Sequence, residues 1–364
     1  MVVVMKAEAT DSDIETVCEK VRNAGGEAFV SRGTVHTVIG LVGDTARFQV
    51  IPFTQLRGVD HVIQIGKPYK MVSADLHPEP TMVKVGTTPV GRATFTIIAG
   101  PCAVESEDQA MRAALAAKAA GATILRGDVY KPRTSPYSFQ GLGERGLEIL
   151  GECRRETGLP MVVEVVDVSH VQHVTEIADC IRVGTRNAQN FELLKVIGRQ
   201  KTLPVLFKRG MGITLEESIH ACEYIAGEGN PNIVFCLRGV KTHLGDPHRN
   251  LVDFAHVPVV RRQTRMPVCI DPSHSVGSLR LAPDGLPDIF HVTGQGLIAG
   301  ASMVLVDLHP EPDQALCDGP QALTPAMLPR YLGYVRRVRR AYEELVAGHA
   351  EGAGGGMDRP AGPA

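Results

Sequence analysis

From residue 94 onward the chain repeats one unit: a short, almost wholly apolar run followed by a helix-length amphipathic stretch. The runs are Phe95–Ala99, Thr123–Arg126, Met161–Val166, Cys180–Val183, Val205–Lys208, Ile233–Leu237, Val268–Ile270 and Met303–Val306. Strands that are apolar along their whole length bury both faces, as parallel strands do. Eight such strand–helix units over roughly 250 residues predict a closed (β/α)8 barrel of the TIM type. An open, doubly wound sheet is the alternative. It lacks its dinucleotide-binding signature here, because no Gly-x-Gly-x-x-Gly follows the first strand.

Residues 1–70 read β-α-β-β-α-β. Val2–Lys6 is the first strand, and Asp11, Ser12 and Asp13 offer caps to a helix on which Ile14, Val17, Cys18 and Val21 recur. Gly25 and Gly26 end it. Glu27–Ser31 and Thr34–Val42 flank Arg32-Gly33 as a hairpin, Asp44 caps a second helix, and Val59–Ile65 closes the pattern. This split arrangement predicts a small ferredoxin-like (ACT-like) α+β domain. Residues 71–92 are expected to be a connector with a short hairpin, Met82–Val85 against Pro89–Arg92. The barrel then spans 93–347. The Gly-, Ala- and Pro-rich residues 348–364 are expected to be a disordered tail, since they bury too little surface to order themselves. Leu-His-Pro-Glu-Pro occurs at 76–80 and at 308–312, but nothing around the two copies is similar, so it marks no repeat.

A formal net charge of −2 gives no bulk attraction to nucleic acid or to an anionic membrane. No apolar run reaches the length of a membrane span, and Val2–Met5 is too short for a signal peptide. The eight cysteines include no CxxC pair in a chain with ample core, which predicts reduced thiols and a cytoplasmic setting.

Barrel enzymes work where strands end, and two groups of residues collect there. One is basic: Arg126, Lys131, Arg133, Arg186, Lys208 and Arg238. Any one of them could be a solvated surface charge. At analogous strand ends they are aimed at one volume, where they fit ligands carrying several negative charges. The other is Cys102, His274, Asp307 and Asp318. Thiolate, imidazole and carboxylate together suit Mn²⁺, Fe²⁺, Co²⁺ or Zn²⁺, whereas Mg²⁺ alone would not select a thiolate. A lone Cys102 would read as a small buried hydrophobe; a histidine and two carboxylates at neighbouring strand ends favour the metal. Cys317 sits in a loop and could belong to either class. No Ser-His-Asp nucleophile signature and no phosphate-binding Walker loop are present.

The strand-end motifs are Gly-Pro-Cys-Ala-Val-Glu-Ser (100–106), Lys-Pro-Arg-Thr-Ser-Pro-Tyr-Ser-Phe-Gln-Gly (131–141), Gly-Thr-Arg-Asn-Ala-Gln-Asn (184–190), Lys-Arg-Gly (208–210) and Asp-Pro-Ser-His-Ser (271–275). Together they closely resemble the type I beta branch of 3-deoxy-D-arabino-heptulosonate 7-phosphate (DAHP) synthase. The resemblance covers nearly the whole chain, including the N-terminal module and the connector Lys67-Pro68-Tyr69-Lys70. It implies condensation of phosphoenolpyruvate with erythrose 4-phosphate, the first step toward the aromatic amino acids. By the same resemblance Arg126, Lys131, Arg186, Lys208 and Arg238 hold phosphoenolpyruvate, and Arg133, Thr134 and Ser135 meet the aldose phosphate. Cys102, His274, Asp307 and Asp318 bind a divalent metal, manganese first, with iron, cobalt or zinc as alternatives. Lys131 is then the expected proton donor, and Glu164 orients the attacking water. The resemblance further implies a homo-oligomer, dimer or tetramer, and Tyr or Phe as effector of the N-terminal domain; that domain could equally serve dimerisation or stability alone.

The chain departs from that family at two places. Asp307 stands where the family has Glu, and Thr242–His248 differs from its usual pattern. Either could fit another aldose phosphate, such as arabinose 5-phosphate or a specialised-metabolism substrate. The sister octulosonate family reads Lys-Ala-Asn-Arg-Ser where this chain has Lys131-Pro132-Arg133-Thr134-Ser135, which counts against the former. A Schiff-base aldolase built on Lys208 and a non-catalytic phosphate-sugar-binding regulator are the remaining alternatives.

Overall fold

The computed structural model describes residues 1–33, 36–64 and 69–353. The chain separates into two compact units, Met1–Lys70 and Met71 onward.

The first unit runs β1 (Val2–Met5), α1 (Asp11–Asn23), β2 (Glu27–Arg32), β3 (Thr37–Val42), α2 (Thr45–Gln49) and β4 (Val59–Ile63). Its sheet has the order β2-β3-β1-β4, all antiparallel. The cap of α1 is Thr10, one residue ahead of the expected trio. Its hydroxyl accepts from the Asp13 amide while the Asp13 carboxylate reaches back to the Thr10 amide, a reciprocal capping box. Asp44 caps α2 by accepting from the Ala46 amide. Val3, Met5, Ile14, Val17, Cys18, Val21, Ile39, Leu41, Phe48 and Val59 form one core between helices and sheet. The expected extensions of β3 to Thr34 and of β4 to Ile65, and Lys67-Pro68 of the connector, lie outside the described residues.

In the second unit a hairpin, β5 (Val83–Val85) and β6 (Thr88–Val90), precedes the strand–helix repeats. These are β7 (Thr96–Gly100), α3 (Glu107–Ala120), β8 (Ile124–Arg126), α4 (Glu144–Thr157), β9 (Met161–Val165), α5 (Val171–Ile177), β10 (Cys180–Val183), α6 (Phe191–Arg199), β11 (Val205–Lys208) and α7 (Leu215–Gly227). They continue through β12 (Ile233–Leu237), α8 (Val257–Gln263), β13 (Val268–Ile270), α9 (Pro272–Val276), α10 (Asp288–Ile298), β14 (Met303–Asp307) and α11 (Leu328–Ala353). Strands β7 to β14 are parallel and close on themselves, β14 pairing with β7 from Met303↔Thr96 to Asp307↔Gly100.

Every second strand residue points inward. Ile98, Ile124, Val162, Cys180, Leu206, Val234, Cys236, Cys269, Met303 and Leu305 fill the barrel and meet Val83, Val85 and Val90 of the hairpin. Thr88 reaches the Thr123 carbonyl, and Gly86 lies against Pro160 and Asp179, at the strands' N-terminal ends. The hairpin therefore plugs the barrel bottom.

Helix α11 ties back to the ring through Tyr331–Thr293 (2.7 Å) and Arg336 to the Ala120 carbonyl (3.1 Å). It continues to Ala353, past Gly348, where the composition had placed a structureless tail. The rest of the expected tail lies outside the described residues. No helix among the described residues is long and apolar enough to cross a membrane.

Candidate active site and metal centre

One step above the apolar layer the inward positions change character. Two residues beyond Ile124, Val162, Cys180, Leu206, Cys236, Cys269 and Leu305 stand Arg126, Glu164, Arg182, Lys208, Arg238, Asp271 and Asp307, all buried. On β7 the same step gives Gly100. A charged ring thus sits on an apolar one, and a cavity of about 250 Å³ opens at this level. Glu164, Arg182, Lys208 and Arg238 line it from the barrel. Lys131, Arg133, Thr134, Ser135, Arg186, His274, Cys317 and Asp318 line it from the loops.

The buried charges neutralise one another in a defined pattern. Asp128, fully buried just past β8, accepts from Arg126 (2.8 Å), from Lys131 (2.9 Å) and from Arg182. Burial alone would raise its pKa, but Arg182, Lys131 and Arg126 hold the carboxyl far below the usual range. Arg182 also bonds Glu164 (2.7 Å), Arg126 pairs with Asp307, and Lys208 pairs with Asp271. Gly184 makes room for this network: a Cβ there would stand 1.8 Å from Glu164 Oε1. Among the described residues no carboxylate lies within ion-pair distance of Arg133, Arg186 or Arg238. Nε and Nη1 of both Arg182 and Arg238 are buried with no partner, and burial pushes the pKa of Arg238 down. Buried guanidinium N–H groups without acceptors are costly. A polyanionic ligand in the cavity would supply the missing acceptors.

Lys131 donates to Asp128, to the Cys102 carbonyl (3.0 Å) and to Cys102 Sγ (3.3 Å). Burial would lower its pKa, but Asp128 and Cys102 more than reverse this and keep the ammonium protonated. The loop carrying Arg133, Thr134 and Ser135 is closed at its base by bonds from the Lys131 amide to the Gln140 carbonyl (2.8 Å) and from the Gly143 amide to the Val129 carbonyl (2.9 Å).

Cys102 Sγ, His274 Nε2 and Asp318 Oδ2 form a triangle with sides of 4.0, 3.7 and 3.2 Å. Asp271 lies 2.9 Å from His274 Nδ1. A carboxylate only accepts, so Nδ1 carries the proton and Nε2 presents a lone pair. Burial lowers the His274 pKa against the pull of Asp271, which favours the neutral imidazole that a metal needs. Asp318 adopts a left-handed backbone (φ 53°) and is held by Arg249 at 3.0 Å. Cys317 Sγ lies 3.7 Å from Cys102 Sγ and 3.7 Å from Asp318 Oδ2. Their mutual hydrogen bond pushes the Cys102 thiol up and the Cys317 thiol down. The donor set fits a divalent cation of the borderline or soft class.

Two expected residues have other surroundings. Arg126 is fully buried behind Asp128, Asp307 and the Cys102 carbonyl, and it is not on the cavity wall; Arg182 takes that place. Asp307 has one oxygen on Arg126 and the other on Gln321 Nε2 (2.6 Å) and 3.6 Å from His274 Nδ1, and Cys102, His274 and Asp307 lie close enough together to share a metal ion. Reading only the residues past each strand missed Arg182, which lies within β10. Its signal was present: a charge two residues after a core position in an otherwise apolar strand.

The carboxylate at Asp128 yields a test. A group with a depressed folded pKa stabilises the fold above its unfolded value, about 3.9, and that contribution is lost as pH falls toward the folded value. Asp128→Asn should cost about 3–5 kcal/mol at pH 7, because three buried cations lose their partner. It should also flatten the acid-side loss of stability below about pH 4. Urea unfolding midpoints at several pH values measure both; an unchanged pH slope removes Asp128 from this role.

Residues 81–344 match the model of the DAHP synthetase I family, and residues 1–67 match that of the DAHP synthase ferredoxin-like domain. The phospho-2-dehydro-3-deoxyheptonate aldolase of Thermotoga maritima is 41% identical over 323 residues, 89% of this chain and 93% of that protein. Its crystal structure superposes with a TM-score of 0.83 at 38% identity, covering 94% of this chain and 97% of the other. A 2-dehydro-3-deoxyphosphooctonate aldolase of Syntrophobacter fumaroxidans is 32% identical over 269 residues, 70% of this chain and 91% of that protein. The charged ring, the partly unsatisfied arginines and the Cys-His-Asp triangle thus belong to a chain whose two units each match their own model, and the chain is a member of the DAHP synthetase I family.

Proposed function

We propose that the barrel condenses phosphoenolpyruvate with erythrose 4-phosphate and water, giving 3-deoxy-D-arabino-heptulosonate 7-phosphate and inorganic phosphate. The observation that carries this is the pair of buried guanidinium groups, Arg182 and Arg238, each with an Nε and an Nη1 that no protein group meets, on the same cavity as His274, Cys317 and Asp318. Cations with such unmet donors suit two anionic substrates that would otherwise repel each other, and hold them in reacting geometry. Arg238, Arg182, Arg186, Lys208 and Lys131 serve phosphoenolpyruvate. Arg133, Thr134 and Ser135, on the outer loop, serve the aldose phosphate. Arg126 acts through Asp128 and the Cys102 carbonyl, which position Lys131.

Carbon 3 of the enol phosphate attacks the aldehyde carbon, water adds at carbon 2, and the resulting hemiketal phosphate loses phosphate by C–O cleavage. A divalent cation held by Cys102, His274, Asp307 and Asp318, manganese first among the candidates, would supply a Lewis acid at the aldehyde oxygen when bound. Lys131 Nζ gives its proton to that oxygen as it becomes a hydroxyl. Glu164, fixed by Arg182, orients the water. The eight cysteines are free and buried, as a reducing cytoplasmic setting favours.

The cation-loaded chain, mixed with phosphoenolpyruvate and a panel of four- and five-carbon aldose phosphates, is expected to release phosphate with erythrose 4-phosphate and to form the seven-carbon product by mass. EDTA should abolish the release. Phosphate release with arabinose 5-phosphate alone excludes this reading, and borohydride trapping at Lys208 would indicate a Schiff base instead.

Lys131→Met should lower kcat about 10²–10⁴-fold. A variant that only raises KM makes Lys131 a binding group and not the donor.

The N-terminal unit is assigned to inhibition by Tyr or Phe. A chain beginning at residue 71 is expected to keep turnover and lose that inhibition; inhibition that survives truncation excludes the assignment. Light scattering of the full chain tests the expected dimer or tetramer.

A further inference from the structure

The carboxylates of Asp307 and Asp318 are joined by two side chains that lie outside the candidate ligand set. Arg249 Nη1 donates to Asp318 Oδ1 (3.0 Å) and to Gln321 Oε1 (2.8 Å), and Gln321 Nε2 donates to Asp307 Oδ2 (2.6 Å). The partners fix the orientation of the Gln321 amide. A guanidinium only donates and a carboxylate only accepts, so the amide oxygen faces Arg249 and the nitrogen faces Asp307. Gln321 is buried with both ends of its amide engaged.

These contacts leave each carboxylate aimed at the candidate cation site. With Oδ1 on Arg249, Asp318 turns Oδ2 toward Cys102 Sγ (3.2 Å) and His274 Nε2 (3.7 Å). Asp307 stays grouped with Cys102 and His274, one ligand atom of each within 4.8 Å of the others. Asp318 also holds a left-handed backbone (φ 53°), which persists only where its surroundings fix it.

Arg249 is itself anchored beside His274. Its amide donates to the Val276 carbonyl (3.0 Å), the Asn250 amide to the Ser275 carbonyl (3.1 Å), and Asn250 Nδ2 to the His274 carbonyl (2.7 Å). A Cβ on Gly277 (φ 75°) would stand 2.4 Å from Arg249 Cβ, so glycine permits this close approach. The segment after β12 is therefore bonded to His274 and Asp318 directly, and to Asp307 through Gln321.

We propose that Arg249 and Gln321 are positioning residues for the cation, a two-residue brace that sets the spacing of Asp307 and Asp318 before the ion arrives. The inference rests on the cation site proposed above and concerns how its carboxylates are held. Outer partners orient ligating carboxylates, and losing one costs about 10–100-fold in metal affinity.

Mn²⁺ titrated into the metal-free full-length protein, with the unbound ion counted by electron paramagnetic resonance, measures the brace without turnover. Arg249→Ala and Gln321→Met should each weaken binding about 10–100-fold. Both act through one chain, so the double variant should lose little more than either alone, whereas independent sites would add. Arg249 is partly exposed, so Arg249→Ala still reads the brace if Gln321→Met unfolds. Arg249→Lys should recover most of the loss, because both contacts leave from one nitrogen and an ammonium can donate to two acceptors. At saturating Mn²⁺ each single variant should regain most of its kcat, with KM for both substrates near the wild-type value; added ion would not reverse a general packing defect. Wild-type affinity in either single variant overturns the brace, as does a fully additive loss in the double variant. Arg249 also lines the cavity. A raised KM for erythrose 4-phosphate in Arg249→Ala, with Mn²⁺ affinity unchanged, makes it a substrate contact and overturns the brace while leaving the cation site standing. No Mn²⁺ binding by the wild-type protein overturns the cation site and the brace with it.

Discussion

A barrel strand turns every second side chain inward, and a charge inside a closed barrel is costly to leave without a partner. These two constraints together shape the site. Up to Ile124, Val162, Cys180, Leu206, Cys236, Cys269 and Leu305 the inward layer is apolar and holds the barrel shut. Two residues later each of these strands delivers a charge, with cations on β8, β10, β11 and β12 and carboxylates on β9, β13 and β14. Asp128 tips the balance on one side by taking Arg126, Lys131 and Arg182 together. On the other side Arg238 has no carboxylate among the described residues. The unequal sharing is what makes the cavity an anion receptor, because a fully neutralised ring would have no unmet demand for acceptors.

The fold was legible because its signals are local and repeated. Apolar strands such as Val205–Lys208 and Ile233–Leu237 carry their own boundaries, and the structure begins and ends them at the same residues. The reciprocal pairing of Thr10 with Asp13 was less visible, since several neighbouring residues could cap that helix equally well on paper. Which residues collect at the mouth could also be read, as strand ends are. What each one touches there could not. Nothing in the chain's order says that Arg126 turns to Asp307 and Asp128 while Arg182 faces the cavity. That choice is made among partners as near as two positions and as far as 181 positions along the chain.

The same limit applies to the metal centre. Cys102, His274 and Asp318 converge because β7, β13 and the loop after β14 are neighbours around the ring. Cys317 was ambiguous in the sequence because its meaning depends on a loop whose course is set by Glu105 and His309. Asp307 was read as a ligand from its position, and its oxygens meet Arg126 and Gln321 with His274 Nδ1 at 3.6 Å. Which neighbours a carboxylate meets is a property of the assembled interior.

The hairpin at the barrel floor carries a consequence for traffic. With Val83, Val85 and Val90 packed into the bottom of the core, the hairpin covers that end among the described residues, and the cavity's lining residues lie at the mouth. Two reactants and a water must come in through it, and a sugar phosphate and an inorganic phosphate must go out the same way. The floor of the barrel, at the end where no chemistry occurs, thus leaves exchange to the mouth.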